Sequence, residues 1–216
     1  LRMQYLLFAV GGNLLAVIFG FYWVKHLPLP YRLMLALVCV TLLCEILGHF
    51  SSAHHRGNAW VFNSFYLMPE LWLTGLTGAM LTIQRLVKIA IPLALLAGSA
   101  LWIFDITQYG VNVLSSASLL YVGICLTLIF LIVLVSTLYQ QNLFKSAAFW
   151  LSVSVILYFS CNIPLFGMYN LISSRSHELL DKLYYINNIL VAIRYPLVAF
   201  SFYLAGRQQL AEQRAT

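Results

Sequence analysis

Charge is what this sequence has least of. Its 216 residues include twelve Lys and Arg and six Asp and Glu, 8% in all, beside 62% hydrophobic residues. A soluble domain carries about 25% charged side chains. That scarcity, with a mean hydropathy of +0.89, excludes a water-soluble globule and reads as a polytopic membrane protein whose residues are used up by spans and short connections. Cysteine is scarce too. Cys39, Cys44, Cys125 and Cys161 all lie inside apolar runs, where a free thiol behaves as a small hydrophobe, so neither a disulfide framework nor a thiolate metal site is suggested. The run from Met3 to Trp23 is too long for a signal-peptide core and has no small-residue cleavage site, and it reads as a retained helix.

What is present is a series of apolar windows of about 20 residues, the length that crosses a bilayer as a helix. Seven are separated by polar or proline-bearing breaks, at about 3–24, 32–50, 59–83, 87–104, 113–139, 147–170 and 183–205. The expected fold class is all-α: a single domain, 1–216, of seven transmembrane helices. Lys25, Arg32, Arg85, Lys88, Lys145, Arg207 and Arg214 fall on one side of this arrangement, and Arg2, Arg56, Arg175 and Lys182 on the other. The positive-inside rule then places the N-terminus outside and the C-terminus in the cytoplasm. The formal charge of +6 follows from topology and calls for no nucleic acid. Trp23, Trp60, Trp102 and Trp150 sit near span ends, as an interfacial belt places them.

Against this background two ionisable residues stand out. Glu70 lies 11 residues in from Ala59, and Arg194 lies 11 in from Leu183. At the helical rise both reach roughly 16 Å into the membrane. An ionised group at that depth faces a partner or a wet cavity, and a guanidinium can grip a carboxylate at two points. The pair is therefore either a structural tie between the third and seventh helices or the floor of a ligand or proton site. Pro69 and Pro196 adjoin the two charges, and each frees a carbonyl one turn earlier.

Nearer the outer side lies a second polar tier. Glu45 and His49 are four residues apart on helix two, Asn63 is on helix three, Asn162 on helix six, and Asn187 and Asn188 on helix seven. Together with Glu70 and Arg194 they are the candidate ligand-binding or polar-core residues, either lining an outward-facing pocket or bonding helix to helix. A metal is not expected. His49 is the one histidine clearly inside a span, His54 and His55 share a loop with Arg56, and a zinc hydrolase of the ceramidase and adiponectin-receptor type needs histidines on several helices. Helix seven has no lysine for a retinal Schiff base, and no cofactor is expected.

Asn63 precedes Glu70 by seven residues, and Asn187 precedes Arg194 by the same seven. Two three-helix units joined by helix four, 3+1+3, would carry this repeat. The pattern resembles the SWEET and PQ-loop transporters, a resemblance that implies Asn63 and Asn187 as substrate-lining residues. The chain lacks that family's Pro-Gln pairs. A closer likeness is carried by Asn58-Ala59-Trp60-Val61-Phe62-Asn63 leading to Pro69-Glu70, by Phe149-Trp150 through Tyr158-Phe159 to Asn162, and by the Asn-rich seventh helix. These resemble small uncharacterised seven-helix integral membrane proteins of bacteria, a family that brings no established activity; other seven-helix modules of this general kind act as input domains or companions of sensor kinases.

The expected function is non-enzymatic: binding of a small ligand, lipid or protein partner in an outward-facing polar pocket, with a receptor or sensor-like role. The tail from Arg207 to Thr216 is too short to signal alone, so a membrane or cytoplasmic signalling partner is expected beside membrane lipids. The location expected is the cell membrane, the inner one if the source has two. The alternatives are a small-solute or proton-coupled transporter working around Glu70 and Arg194, and an intramembrane lipid-modifying enzyme using Glu45 and His49 as acid and base.

Overall fold

The structure is a computed structural model describing residues 2–53, 58–138, 142–175 and 177–215, with side chains described for 10–51, 58–138, 142–169, 172, 179, 182, 183 and 185–214. Among the described residues it is all-helical. We number the helices α1 (Arg2–Trp23), α2 (Leu29–Ala53), α3 (residues 59–81), α4 (Arg85–Tyr109), α5 (Ser116–Leu138), α6 (Ala147–Arg175) and α7 (His177–Ala215). The seven apolar windows of the sequence thus correspond to seven helices among the described residues. Five of them, α2, α4, α5, α6 and α7, are long and apolar enough to cross a membrane. Helix α3 is built of three consecutive pieces, Ala59–Val61, a wide π turn Phe62–Tyr66, and Leu67–Leu81.

Several helix ends differ from the hydropathy windows, and for one reason. Apolarity marks where lipid begins and ends, whereas a helix continues as long as its residues tolerate it. Beyond the expected 183–205, α7 runs from His177 to Ala215, through segments without an internal proline and rich in Leu, Lys, Glu, Gln, Arg and Ala, all good helix formers. Helix α4 passes its expected end at 104 and stops at Tyr109, where Gly110 takes a φ of +77°, a left-handed cap that favours glycine.

Contacts fix the direction of every helix. Gly12 lies against Ala192 and Pro196, Gly20 against Phe202, and Gly206 against Trp23, so α1 and α7 run parallel along their whole shared length. Asn13, with its amide turned to match, donates to the Val38 carbonyl and accepts from the Leu42 N–H at 3.1 Å each, while Gly20 meets Leu35; α2 is antiparallel to α1. Trp72 bonded to Ser99 at 2.9 Å and Trp102 to Asn63 at 3.0 Å make α3 and α4 antiparallel. Successive helices thus alternate in direction. Packing closes a ring in the order α1, α2, α3, α5, α6, α7, with α4 outside in the groove between α3 and α5. Its buried residues are few, Ile91, Leu95, Gly98 and Asp105, and Leu86, Ile89, Leu93, Leu96 and Phe104 face outward.

The periphery is apolar elsewhere too. Ile18, Phe21, Leu43, Phe50, Leu128 and Leu138 are all exposed, which in water would be a large unfavourable patch and in lipid is the expected surface. Polar side chains go inside: Asn13, Asn63, Glu70, Thr74, Asn162, Arg194 and Ser201 are buried.

The α1–α7 seam gives a stability prediction. A Cβ on Gly206 would lie 2.5–2.9 Å from the rigid indole of Trp23, whereas one on Gly11 meets nothing within 4 Å. Gly206→Ala is expected to cost about 1–3 kcal/mol, seen as a lowered Tm of the detergent-solubilised protein, while Gly11→Ala, in open space within a helix, leaves the Tm unlowered or raises it.

Candidate functional site

Glu70 and Arg194 meet. On α3, Pro69 has no N–H to give the Phe65 carbonyl, and the preceding turn is widened so that the Leu67 N–H reaches the Phe62 carbonyl. This π geometry leaves the Asn63 carbonyl without its helical donor, and the Trp102 indole N–H fills the vacancy at 3.0 Å. Beyond the wide turn, Tyr66, Glu70 and Thr74 line up at four-residue spacing and point at α7. Arg194 comes from the other side of the ring, where Pro196 lies two residues beyond it in α7.

The ion pair is two-pronged. Nη2 of Arg194 donates to Oε1 of Glu70, and Nη1 lies 3.4 Å from Oε2 and 3.5 Å from the Tyr66 hydroxyl. Thr74 donates its hydroxyl to Glu70 Oε1 at 3.2 Å. The guanidinium carbon sits 4.5 Å from the ring centre of Tyr158 on α6 and 5.2 Å from that of Phe159, so cation–π attraction supplements the charge pairing. The two side chains are only 2% and 1% exposed. Tyr195, next to Arg194, approaches Thr41 on α2. Three helices, α3, α6 and α7, therefore converge on one guanidinium, and α2 meets its neighbour Tyr195.

Not every polar atom at this level has a partner. Arg194 Nε, Asn162 Oδ1 and Asn187 Oδ1 are buried with no hydrogen bond; Asn162 does donate its amide N–H to the Tyr158 carbonyl at 2.9 Å. Trp150 against Phe200 and Tyr158 against Arg194 set the antiparallel register of α6 on α7. Continued toward the end that carries the N-terminus, that register brings Asn162 level with Asn187 and Asn188. On α2, Gly48 beside Phe62 and Ser51 bonded to Trp60 set Glu45 level with Tyr66, and Glu45 lies within electrostatic reach of Tyr158. Glu45, Asn162 and Asn187 thus share a tier just beyond the ion pair. Glu45 and Asn187 are half-buried, as is Asn188, and Asn162 is fully buried.

Two candidates stand apart from this tier. Asn63 faces away, toward the connection between α4 and α5. Its Nδ2 donates to the carbonyls of Val111 at 2.9 Å and Val113 at 2.6 Å, and its Oδ1 accepts from the Ser115 N–H at 3.4 Å. All its amide hydrogen-bonding groups are engaged in holding that loop. The reason it parts from Glu70 is the π turn: one extra residue rotates the helix on its N-terminal side by about 100° relative to the C-terminal side. Asn187 and Arg194 have no such turn between them and share a face, so the matching seven-residue spacings place the two asparagines in unlike surroundings. His49 is exposed and touches Phe50. His54 and His55 lie outside the described residues, and among the described residues no three His, Cys, Asp or Glu side chains converge as metal ligands do.

No protein family, curated protein or solved structure matches the chain. The resemblances to bacterial seven-helix proteins and to SWEET transporters therefore rest on their motifs alone.

Three contributors escape a reading of the sequence. Tyr66 and Tyr158 are legible there only as aromatics in apolar helices, although the Tyr66, Glu70 and Thr74 spacing is a visible polar stripe. Asp105 reads as a span boundary. It is in fact buried inside α4, where its carboxylate accepts from the Ser118 N–H at 3.0 Å and hydroxyl at 2.6 Å, capping the start of α5 from a neighbouring helix.

These bonds have measurable consequences. Glu70→Gln or Arg194→Met alone leaves a buried charge uncompensated, at a cost of about 3–5 kcal/mol. The swap Glu70→Arg with Arg194→Glu is expected to recover much of that, measured as thermal stability in a double-mutant cycle. Asn63→Leu is expected to cost about 1–3 kcal/mol by leaving the loop carbonyls without donors, with faster hydrogen exchange across residues 110–115.

Proposed function

We propose that this is a multi-pass cell-membrane protein, crossing seven times with its N-terminus outside, that binds a small ligand in a polar tier open to the outer side and acts as a receptor or sensor. The observation that carries this is an asymmetry about the ion pair. On the outer side Asn162, Asn187 and the Nε edge of Arg194 offer buried polar atoms with no protein partner. Buried polar groups are otherwise almost always bonded, so an occupant, water or ligand, belongs there.

On the inner side the hydroxyls next to the pair are engaged, and among the described residues unpartnered atoms, Thr82 Oγ1 and His26 Nδ1, recur only at the far end of the bundle. Thr77 donates to the Leu73 and Pro30 carbonyls, Ser154 to Leu151 and Ser201 to Val198. Among them pack Met34, Leu37, Leu71, Phe130, Leu151 and Phe202, all fully buried. A polar entry above an apolar plug supports binding from one face over passage through the ring. The alternative is a transporter, supported by the ring of helices with parallel α1 and α7 and by Pro196 beside Arg194. A 3+1+3 division would make α1 to α3 and α5 to α7 the two units, with α4 packed outside between them.

Signal output has a candidate route. Helix α7 is continuous from Asn187 through Arg194 to the charged stretch ending at Ala215, and a partner protein at the cytoplasmic side would read its movement.

The test is native mass spectrometry of protein released from its membrane. A small non-lipid adduct is expected in the wild type and is expected to be lost in Asn162→Leu/Asn187→Leu, whose stability stays within about 2 kcal/mol of wild type. Uptake of that compound into proteoliposomes, abolished by Glu70→Gln, would replace the receptor reading with the transporter.

A further inference from the structure

The polar tier has a charge as well as a place. Resting on the ligand-binding reading above, we infer that its occupant is a small organic ammonium ion, held by Glu45 as counter-charge and by the Asn162 and Asn187 carbonyl oxygens as hydrogen-bond acceptors.

The ionisable groups around the tier set its charge. From α3 and α7 come Glu70 and Arg194, which neutralise each other through direct contact. From α6 comes Tyr158 and from α3 Tyr66, neither of which carries charge near neutral pH in an apolar surround. From α2 comes Glu45, half-buried, with no hydrogen bond or ion pair to any described residue. His49, one turn further out, is exposed and is not bonded to it. Among the described residues the tier therefore holds one carboxylate without a cation. A carboxylate at this depth is expensive unless paired.

The unpartnered amide atoms agree in sign. Asn162 Oδ1 and Asn187 Oδ1 both accept hydrogen bonds. With the Glu45 carboxyl oxygens they place acceptors on α2, α6 and α7 at one level of the ring, suited to a group with several N–H donors. The unpartnered donor at this level, Arg194 Nε, belongs to a guanidinium already bound to a carboxylate, which leaves little attraction for an anion. Aromatic rings stand at the same level: Phe62 and Tyr66 pack edge to face at 5.8 Å on α3, and Phe159 flanks the guanidinium. Aromatic faces favour an organic cation. Among the described residues no three His, Cys, Asp or Glu side chains converge to favour a divalent metal in its place.

The experiment uses the full chain in nanodiscs and four probes at equal ionic strength: butylammonium, butyramide, butyrate and sodium chloride. The readout is the unfolding midpoint against probe concentration. Butylammonium is expected to raise the midpoint saturably, the other three to do nothing. Glu45→Gln, nearly isosteric and at a half-buried position, is expected to weaken the apparent affinity by about tenfold or more, the loss of a charge-assisted bond. Glu45→Asp, which keeps the charge, should retain most of it. Equal stabilisation by butyramide or butyrate, or a response indifferent to Glu45→Gln, overturns the ammonium and leaves the pocket. Equal stabilisation by sodium replaces the ammonium with an alkali ion. Silence from all four overturns the ammonium alone; only the absence of any native adduct would also remove the pocket.

Discussion

Everything in the middle of this bundle depends on how one guanidinium is kept in a dry interior. Removing an ion from water costs several kcal/mol even after relaxation, and Arg194, unlike a lysine or histidine, cannot escape by losing its proton. The surrounding sequence answers that cost at three points. Glu70 supplies the opposite charge and is itself bonded by Thr74, the Tyr66 hydroxyl lies beside one Nη group, and the Tyr158 ring covers one face of the cation. Since these groups come from α3 and α6, the fit can be satisfied at only one register of three helices. A buried ion pair adds little net stability over a well-packed apolar pair, but it penalises every arrangement in which the charges miss each other. That is a specificity device for a bundle whose other contacts are apolar and tolerant of sliding.

The same dependence decides how much of the site is legible in the sequence. The pairing of Glu70 with Arg194 is readable because depth along a helix is set by counting residues, and both counts are 11 from the outer end of the expected span. What counting cannot supply is rotation. Asn63 and Glu70 are seven apart and belong on one face of a regular helix; the π turn ahead of Pro69 turns them to different neighbours. The signal is present in Pro69, yet a proline tells only that a donor is missing, not whether the helix kinks, tightens or widens in response. Likewise Glu45 and His49 share a stripe, but residues four apart differ by about 40°, enough to leave one half-buried and the other at the surface. The position of α4 outside the ring is not legible at all, since its apolar window is indistinguishable from those of helices in the ring.

Asp105 illustrates a further ambiguity. In a soluble protein a lone Asp after an apolar run marks the end of burial, and carrying that rule into the membrane makes Asp105 a boundary. In a membrane bundle an acid near a helix end has a second use, since the first backbone N–H groups of the next helix need acceptors where water is limited. Ser118 provides both its N–H and its hydroxyl to Asp105, and Asn63 holds the connection just before it. Two polar residues, one that looks like a ligand contact and one that looks like a boundary, thus secure one loop, which ties peripheral α4 to the ring.

The polar atoms that remain unmatched are informative because so many others are matched. Thr41, Thr77, Ser152, Ser154 and Ser201 are buried, and each hydroxyl returns to a backbone carbonyl of its own helix. A helix can satisfy a hydroxyl in this way at any depth without a neighbour's help. An asparagine cannot do so completely, because its amide carries both donors and an acceptor: Asn162 bonds one N–H to the turn below and leaves its oxygen facing the ring. Asparagine inside a lipid-facing bundle is therefore either matched across helices, as Asn13 and Asn63 are, or presents an unmet demand. Asn162 and Asn187 are of the second kind, at the level where α2 carries Glu45. A hydrogen-bond donor at that level meets the demand without rearranging the ring.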